Sequence, residues 1–270
     1  MYLYAKIIPM ENSSTEKNRI HLLDEVRGFA VFCMVFYHGF YILSDFFGVE
    51  IAGKLFDFFT PVEPFFAGLF IIVCGISCSL SHSNLKRGLK IFGVALALSF
   101  VTIVIMPAIN IDGAQIYFGI LHFLGVSVLI HALIDKKTEK INPYIGIIAC
   151  AMLYPFFSGI ETGTLSYGEI FVLKIPEVLY NTNWLMPLGI YSKNFYSADY
   201  FPIFPSIFIF FAGVFIGRIF KEKGFPNYSY KQRVPFFGWL GKKAFIIYIL
   251  HMPIIAGIAY GISFIINLIS

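Results

Sequence analysis

Apolar stretches near residues 28–47, 62–81, 91–109, 115–134, 142–158, 201–219 and 243–268 alternate with polar connections. Each approaches the ~20 residues that a helix needs to cross a bilayer, the fifth being the shortest. Helix is the form expected, because lipid cannot satisfy open backbone groups and barrel strands would alternate in polarity. The pattern predicts an all-α, polytopic transmembrane helix bundle of about seven to nine membrane helices. Residues 160–200 break the pattern with Pro176, Trp184, Pro187 and several polar residues. They fit either no crossing or a pair of short helices that enter and return, with an outer-face segment dipping in around 168–190 favoured.

Composition agrees. Of 270 residues, 58% are hydrophobic and only 13% charged, about half the charge of a soluble domain, so a water-facing surface cannot be covered. The 32 Phe and 16 Tyr suit a lipid-facing surface and its interfacial belts. With the N-terminus in the cytoplasm, 17 of the 20 Lys and Arg fall on the inner side, and only Lys54, Lys174 and Lys193 fall outside. This predicts a multi-pass protein of the cytoplasmic membrane, a single integral domain over 1–270 with a polar inner tail at 1–18. The first apolar stretch has no small-residue cleavage site behind it and reads as a retained helix. The positive balance follows from topology and does not point to nucleic acid. Cys33, Cys74, Cys78 and Cys150 all lie in apolar stretches and read as small buried side chains, so no disulfide framework and no metal are expected.

Ionisable groups are costly inside a membrane and mark functional candidates. His21, His82 and His131 fall near the inner surface and read as hydrated interfacial side chains. His38, His122 and His251 fall within spans and can meet near the middle or outer half of the bundle. At ~100° per residue, Asp24, Arg27, His38 and Asp45 share one narrow stripe of the first helix, which lipid would not tolerate. Gln115 and His122 share a face of the fourth helix, as do Tyr248 and His251 on the last. Asp199 stands at the outer mouth of the sixth span, as a helix cap with Pro202 in the first turn or as a ligand. Arg218 ends that span on the inner face, suited to a lipid or cofactor phosphate.

Four stretches carry a resemblance. They are Arg19-Ile20-His21-Leu22-Leu23-Asp24-Glu25-Val26-Arg27-Gly28-Phe29-Ala30 with His38, then Tyr117–Gly125, Asp199–Pro205 and Tyr248–Pro253. In this order they resemble the catalytic domain of heparan-alpha-glucosaminide N-acetyltransferase-like proteins and the wider group of transmembrane acyltransferases. The resemblance implies an acyltransferase that takes acetyl from cytosolic acetyl-CoA and passes it through the bundle to an amine or hydroxyl of an extracytoplasmic acceptor, a glycan or small molecule. It implies His38 as base or acetyl carrier and Arg27 beside the cofactor phosphates. The site set is then His38, His122 and Asp24 for catalysis, Arg27, Arg218 and His251 for acetyl-CoA, and Asp45, Gln115 and Asp199 for the acceptor. The animal lysosomal members carry an amide where His38 stands and a catalytic histidine in a loop this chain lacks, so their sugar substrate does not transfer.

The chemistry is coherent without the resemblance: acyl transfer needs a base, and imidazole titrates in the useful range. Two other classes compete. A proton-coupled transporter or lipid flippase would use the same groups as a relay, but the internal repeats common in such folds are not visible. A scaffold would use the histidines only to join helices. Membrane lipids are obligatory partners, and a homodimer is compatible with the sequence.

Overall fold

The computed structural model describes residues 19–111 and 113–269, with side chains as far as Ile262. The polar tail at 1–18, with Lys6 and Lys17, lies outside the described residues. Contacts divide the chain into two compact units: the described part of Met1–Ala67 with Phe225–Ser270, and Gly68–Gly224.

The first unit is built on α1 (His21–Asp45). Asp24 sits in its first turn, where a negative charge complements the helix dipole. Against α1 pack α2 (Glu50–Phe59), α9 (Pro235–Lys242) and α10 (Ala244–Ile269). The α1–α9 crossing depends on glycine. A Cβ on Gly28 would overlap the Phe237 carbonyl, and one on Gly241 the Asp24 carbonyl. Backbones can approach this closely only where side chains are absent, the usual device of helix pairs in lipid. The Glu25 carboxylate accepts from the Arg233 and Val234 amides at 2.6 and 2.9 Å, satisfying orphan donors at the start of α9. Pro235 then fills the first helical position, where no N–H is needed. Phe29, Phe32, Phe236 and Phe237 close the crossing edge-on.

The second unit holds the rest of α3 (Glu63–Ser79), then α4 (Asn84–Phe100), a π-turn at Val101–Ile105, α5 (Met106–Ala108), α6 (Ile120–Thr138), α7 (Pro143–Phe157) and α8 (Ile207–Lys223). Here too helices meet at glycines: Gly75 and Gly213 at the α3–α8 crossing, Gly125 against Phe92 between α6 and α4. Helix α6 is the most enclosed, with ten of its 19 residues buried.

Among the described residues, five helical segments are long and apolar enough to cross a membrane: His21–Asp45, Glu50–Ser79, Asn84–Ala108, Pro143–Thr162 and Ala244–Ile262. An all-α membrane protein is therefore what the chain forms, but the expected count of seven to nine spans is not reached on those criteria. Helix α6 ends in Asp135, Lys136 and Lys137, and α8 is only 17 residues and ends in Lys221, Glu222 and Lys223. An enclosed helix faces protein rather than lipid and need not be apolar all round. Two expected boundaries also move. Residues 115–119 and 201–206 precede α6 and α8 instead of opening them.

Residues 160–200 form neither an uninterrupted loop nor a helical pair. They open with a 3-10 turn at Ile160–Thr162, then a hairpin of β1 (Thr164–Tyr167) and β2 (Phe171–Lys174), followed by 3-10 turns at Glu177–Asn181 and Met186–Leu188. The hairpin folds back along α7: the Tyr167 hydroxyl donates to the Met152 carbonyl at 2.9 Å, and Phe156 packs on Tyr167 and Phe171.

The α1–α9 crossing yields a test. Gly241→Val should destabilise the protein by about 1–3 kcal/mol or more, as overpacking does, while Gly257→Ala, with nothing within 4 Å of its Cβ, should not. Thermal midpoints by size-exclusion chromatography in detergent check both.

Candidate active site

Two histidines meet in the first unit. His38, midway along α1, places Nδ1 2.8 Å from Nε2 of His251 on α10. The Nδ1 of His251 lies 2.7 Å from the Tyr248 carbonyl, one turn earlier on the same helix. His251 is buried and His38 half-buried. The ring planes lie within 16° and the centroids 5.1 Å apart. That separation with a 2.8 Å nitrogen contact puts the contact on the line between ring centres, so the rings are joined end to end rather than face to face. A hydrogen bond so aligned follows the lone-pair direction of one ring and the N–H direction of the other. Both helices are membrane-length.

At the other end of the same stripe, Asp24 is buried and accepts from two arginines: Arg19 Nε at 2.7 Å and Arg27 Nη1 at 3.1 Å. The two guanidinium side chains keep 44% and 24% of their exposure, so this end of α1 offers an accessible positive group. Asp24 is 14 residues from His38, or ~21 Å along a helix. The carboxylate expected among the catalytic groups therefore stands with the arginines, out of reach of the imidazoles. Asp45 ends α1 and is exposed. His251, expected at the cofactor, makes the contact with His38.

The remaining predicted residues lie in the second unit, where they hold the ends of α6. Asp199 Oδ2 accepts from the Ile120 amide at 3.2 Å, so it caps a helix as expected, but the start of α6 rather than of α8. His122 accepts at Nδ1 from the Gly119 amide at 3.2 Å, and its Nε2 lies 3.1 Å from the Ser99 hydroxyl. That hydroxyl donates to the Ile116 carbonyl at 2.6 Å, so His122 Nε2 is the donor to it. Both nitrogens of His122 are thus engaged in building the entry to α6. The backbone carbonyl of Gln115 accepts from the Ala198 amide, and Phe118 and Tyr200 form a single parallel backbone bridge. Arg218 donates to the Thr138 and Glu139 carbonyls at 2.5 and 2.8 Å, closing the other end of α6.

Two features escaped the sequence reading. His131, expected in water, is 2% exposed, set against the Phe210 and Phe211 rings with Nε2 3.5 Å from Asp135. Arg87, read as one of the inner surface charges, turns its guanidinium onto Cys74 Sγ at 3.2 Å and Cys78 Sγ at 3.7 Å. The one-turn spacing of the cysteines was the only available sign of that contact.

Membrane-length helices carrying linked imidazoles define a polytopic membrane protein with ionisable chemistry at the depth of its spans. The family model described as heparan-alpha-glucosaminide N-acetyltransferase, catalytic, matches residues 19–253, and the chain belongs to that family. Family membership makes it a transmembrane acetyltransferase in general type. No curated protein and no solved structure matches the chain.

The α6 entry supplies the second test. Asp199→Ala should cost about 0.5–2 kcal/mol through loss of a helix cap, and Asp199→Asn less, since the amide oxygen still accepts. Denaturation monitored by tryptophan fluorescence in detergent measures the difference.

Proposed function

We propose that this chain transfers an acetyl group from cytosolic acetyl-CoA to an amine or hydroxyl of an extracytoplasmic acceptor, a sugar or cell-envelope glycan. The observation that carries this reading is the half-buried imidazole of His38, held on the helix stripe whose other end bears the arginines around Asp24. Burying an ionisable group at this depth is costly without a function. The family match, which covers both ends of the stripe, gives that function its class.

The whole chain serves as one acyltransferase domain, with the N-terminus cytoplasmic. In this arrangement α6 and α8 complete seven crossings, which is what leaves 17 of 20 Lys and Arg on the inner side. The Asp24 end of α1 then faces the cytoplasm, where the donor is found.

The Arg19 and Arg27 guanidiniums beside Asp24 stay partly exposed, and that donor set fits the phosphates of coenzyme A. Arg27 and Arg19 would hold them, with Asp24 keeping the guanidiniums apart and oriented. Acetyl-CoA, when bound, supplies an acetyl group activated as a thioester. His38 takes the proton that the acceptor's amine or hydroxyl must lose, the work of a general base. The apolar surroundings of α1 exclude bulk water from that proton transfer and so oppose hydrolysis.

Calorimetry of acetyl-CoA with purified protein, beside an acetyl-transfer assay, tests the reading. Wild type should bind. His38→Ala should keep binding and lose transfer by about a hundredfold or more. Arg27→Ala should weaken binding by roughly tenfold, the worth of a charge-assisted hydrogen bond. A folded wild-type sample that does not bind acetyl-CoA would overturn the proposal and favour proton-coupled transport.

A further inference from the structure

We infer that His251 is a positioning residue that decides which nitrogen of His38 is the base, and that it shares the proton His38 receives. The geometry leaves one arrangement for the neutral pair. The Tyr248 carbonyl can only accept, so the His251 nitrogen 2.7 Å from it, Nδ1, carries hydrogen. A neutral imidazole bears one N–H, so His251 Nε2 has a lone pair. His38 Nδ1 lies 2.8 Å from that lone pair and must be the donor. His38 is therefore held as its Nδ1–H form, and its Nε2 is the nitrogen left with a lone pair. A free histidine carries its proton chiefly on Nε2, the form in which that nitrogen cannot act as base. His251 removes that form.

The chain of contacts also accounts for the proton. When His38 Nε2 accepts one, the ring becomes an imidazolium whose Nδ1–H already points at His251. Moving that hydrogen to His251 Nε2 returns His38 to neutrality as its Nε2–H form. It leaves the charge on His251, whose Nδ1–H stays on the Tyr248 carbonyl. No atom other than the hydrogen has to move, because the nitrogen contact already lies along the line between the ring centres. Spreading one positive charge over two rings lessens the cost of holding it in low dielectric. The return of the proton reverses these steps and restores the lone pair on Nε2.

The tautomer assignment stands on the hydrogen bonds alone, while its catalytic consequence rests on the proposed acetyl transfer. Nitrogen-15 and carbon-13 spectra of histidine-labelled protein in detergent, with His38 assigned from the spectrum of His38→Gln, decide the tautomer. The expected result is a His38 protonated at Nδ1 and bare at Nε2 in wild type, shifting toward the Nε2–H form in His251→Phe. Transfer assays decide the consequence. His251→Phe keeps a ring of similar size but no acceptor, and should lower kcat about a hundredfold with the KM for acetyl-CoA changed by no more than about twofold. His251→Gln, whose amide oxygen can accept from His38 Nδ1, should recover about tenfold of that loss. A wild-type His38 protonated at Nε2 overturns the inference, whether or not any variant folds. So does wild-type kcat in His251→Phe. The stated tautomer in a protein that binds acetyl-CoA but transfers no acetyl group would overturn the proposed reaction and leave the imidazole arrangement standing.

Discussion

In hydrocarbon a polar group has no water to turn to, and each one left unpartnered costs several kcal/mol. Most of what is distinctive in this protein follows from that constraint. A carboxylate on α1 must find donors, and Glu25 finds them in the amides that open α9. A histidine on α10 must place both nitrogens, and does so between its own helix carbonyl and a second imidazole. The helix least able to rely on lipid, α6, has its ends closed by Asp199 at the start and Arg218 at the finish. Where close approach is needed to make such bonds, glycine stands at the crossing.

The four stretches that resemble the acetyltransferase family turn out to be paired. The opening stretch, through His38, is bound to Tyr248–Pro253 by the imidazole contact. The stretch at Tyr117–Gly125 is bound to Asp199–Pro205 through the Asp199 cap and the Phe201 amide on the Phe118 carbonyl. One pair joins two helices through imidazoles, and the other closes the entry of a helix. Family resemblance in this chain thus falls on two kinds of contact.

Helical periodicity made the α1 stripe legible, because His21–Asp45 is one unbroken helix and 100° per residue holds along it. The membrane class was legible for the same reason: apolar length is a local property. What lay beyond reach was tertiary. His131 is polar in sequence and buried in space, because rings contributed by α8 cover it. Asp199 looked like a cap, but nothing local says that the helix it serves begins 79 residues earlier. Four-residue strands are too short for alternation to stand out from an apolar background, so the hairpin at 164–174 gave no sign of itself. Depth along the spans allowed His38 and His251 to meet, but residues 213 apart give no local sign of which nitrogens face each other.

That last separation has a consequence for the life of the chain. The first helix reaches the membrane early in synthesis, carrying Glu25 and His38 with the partners they will use not yet made. Gly28 likewise waits for Phe237, and Asp24 for Gly241. Residues 68–224 are translated in between and can pack on their own contacts meanwhile. Non-local pairing of this kind is slow to form. The first unit therefore closes last, and a polypeptide halted before His251 leaves His38 Nδ1 without the acceptor that the finished molecule gives it. Such a product differs from the finished molecule in the first unit, while residues 68–224 keep the contacts they make among themselves.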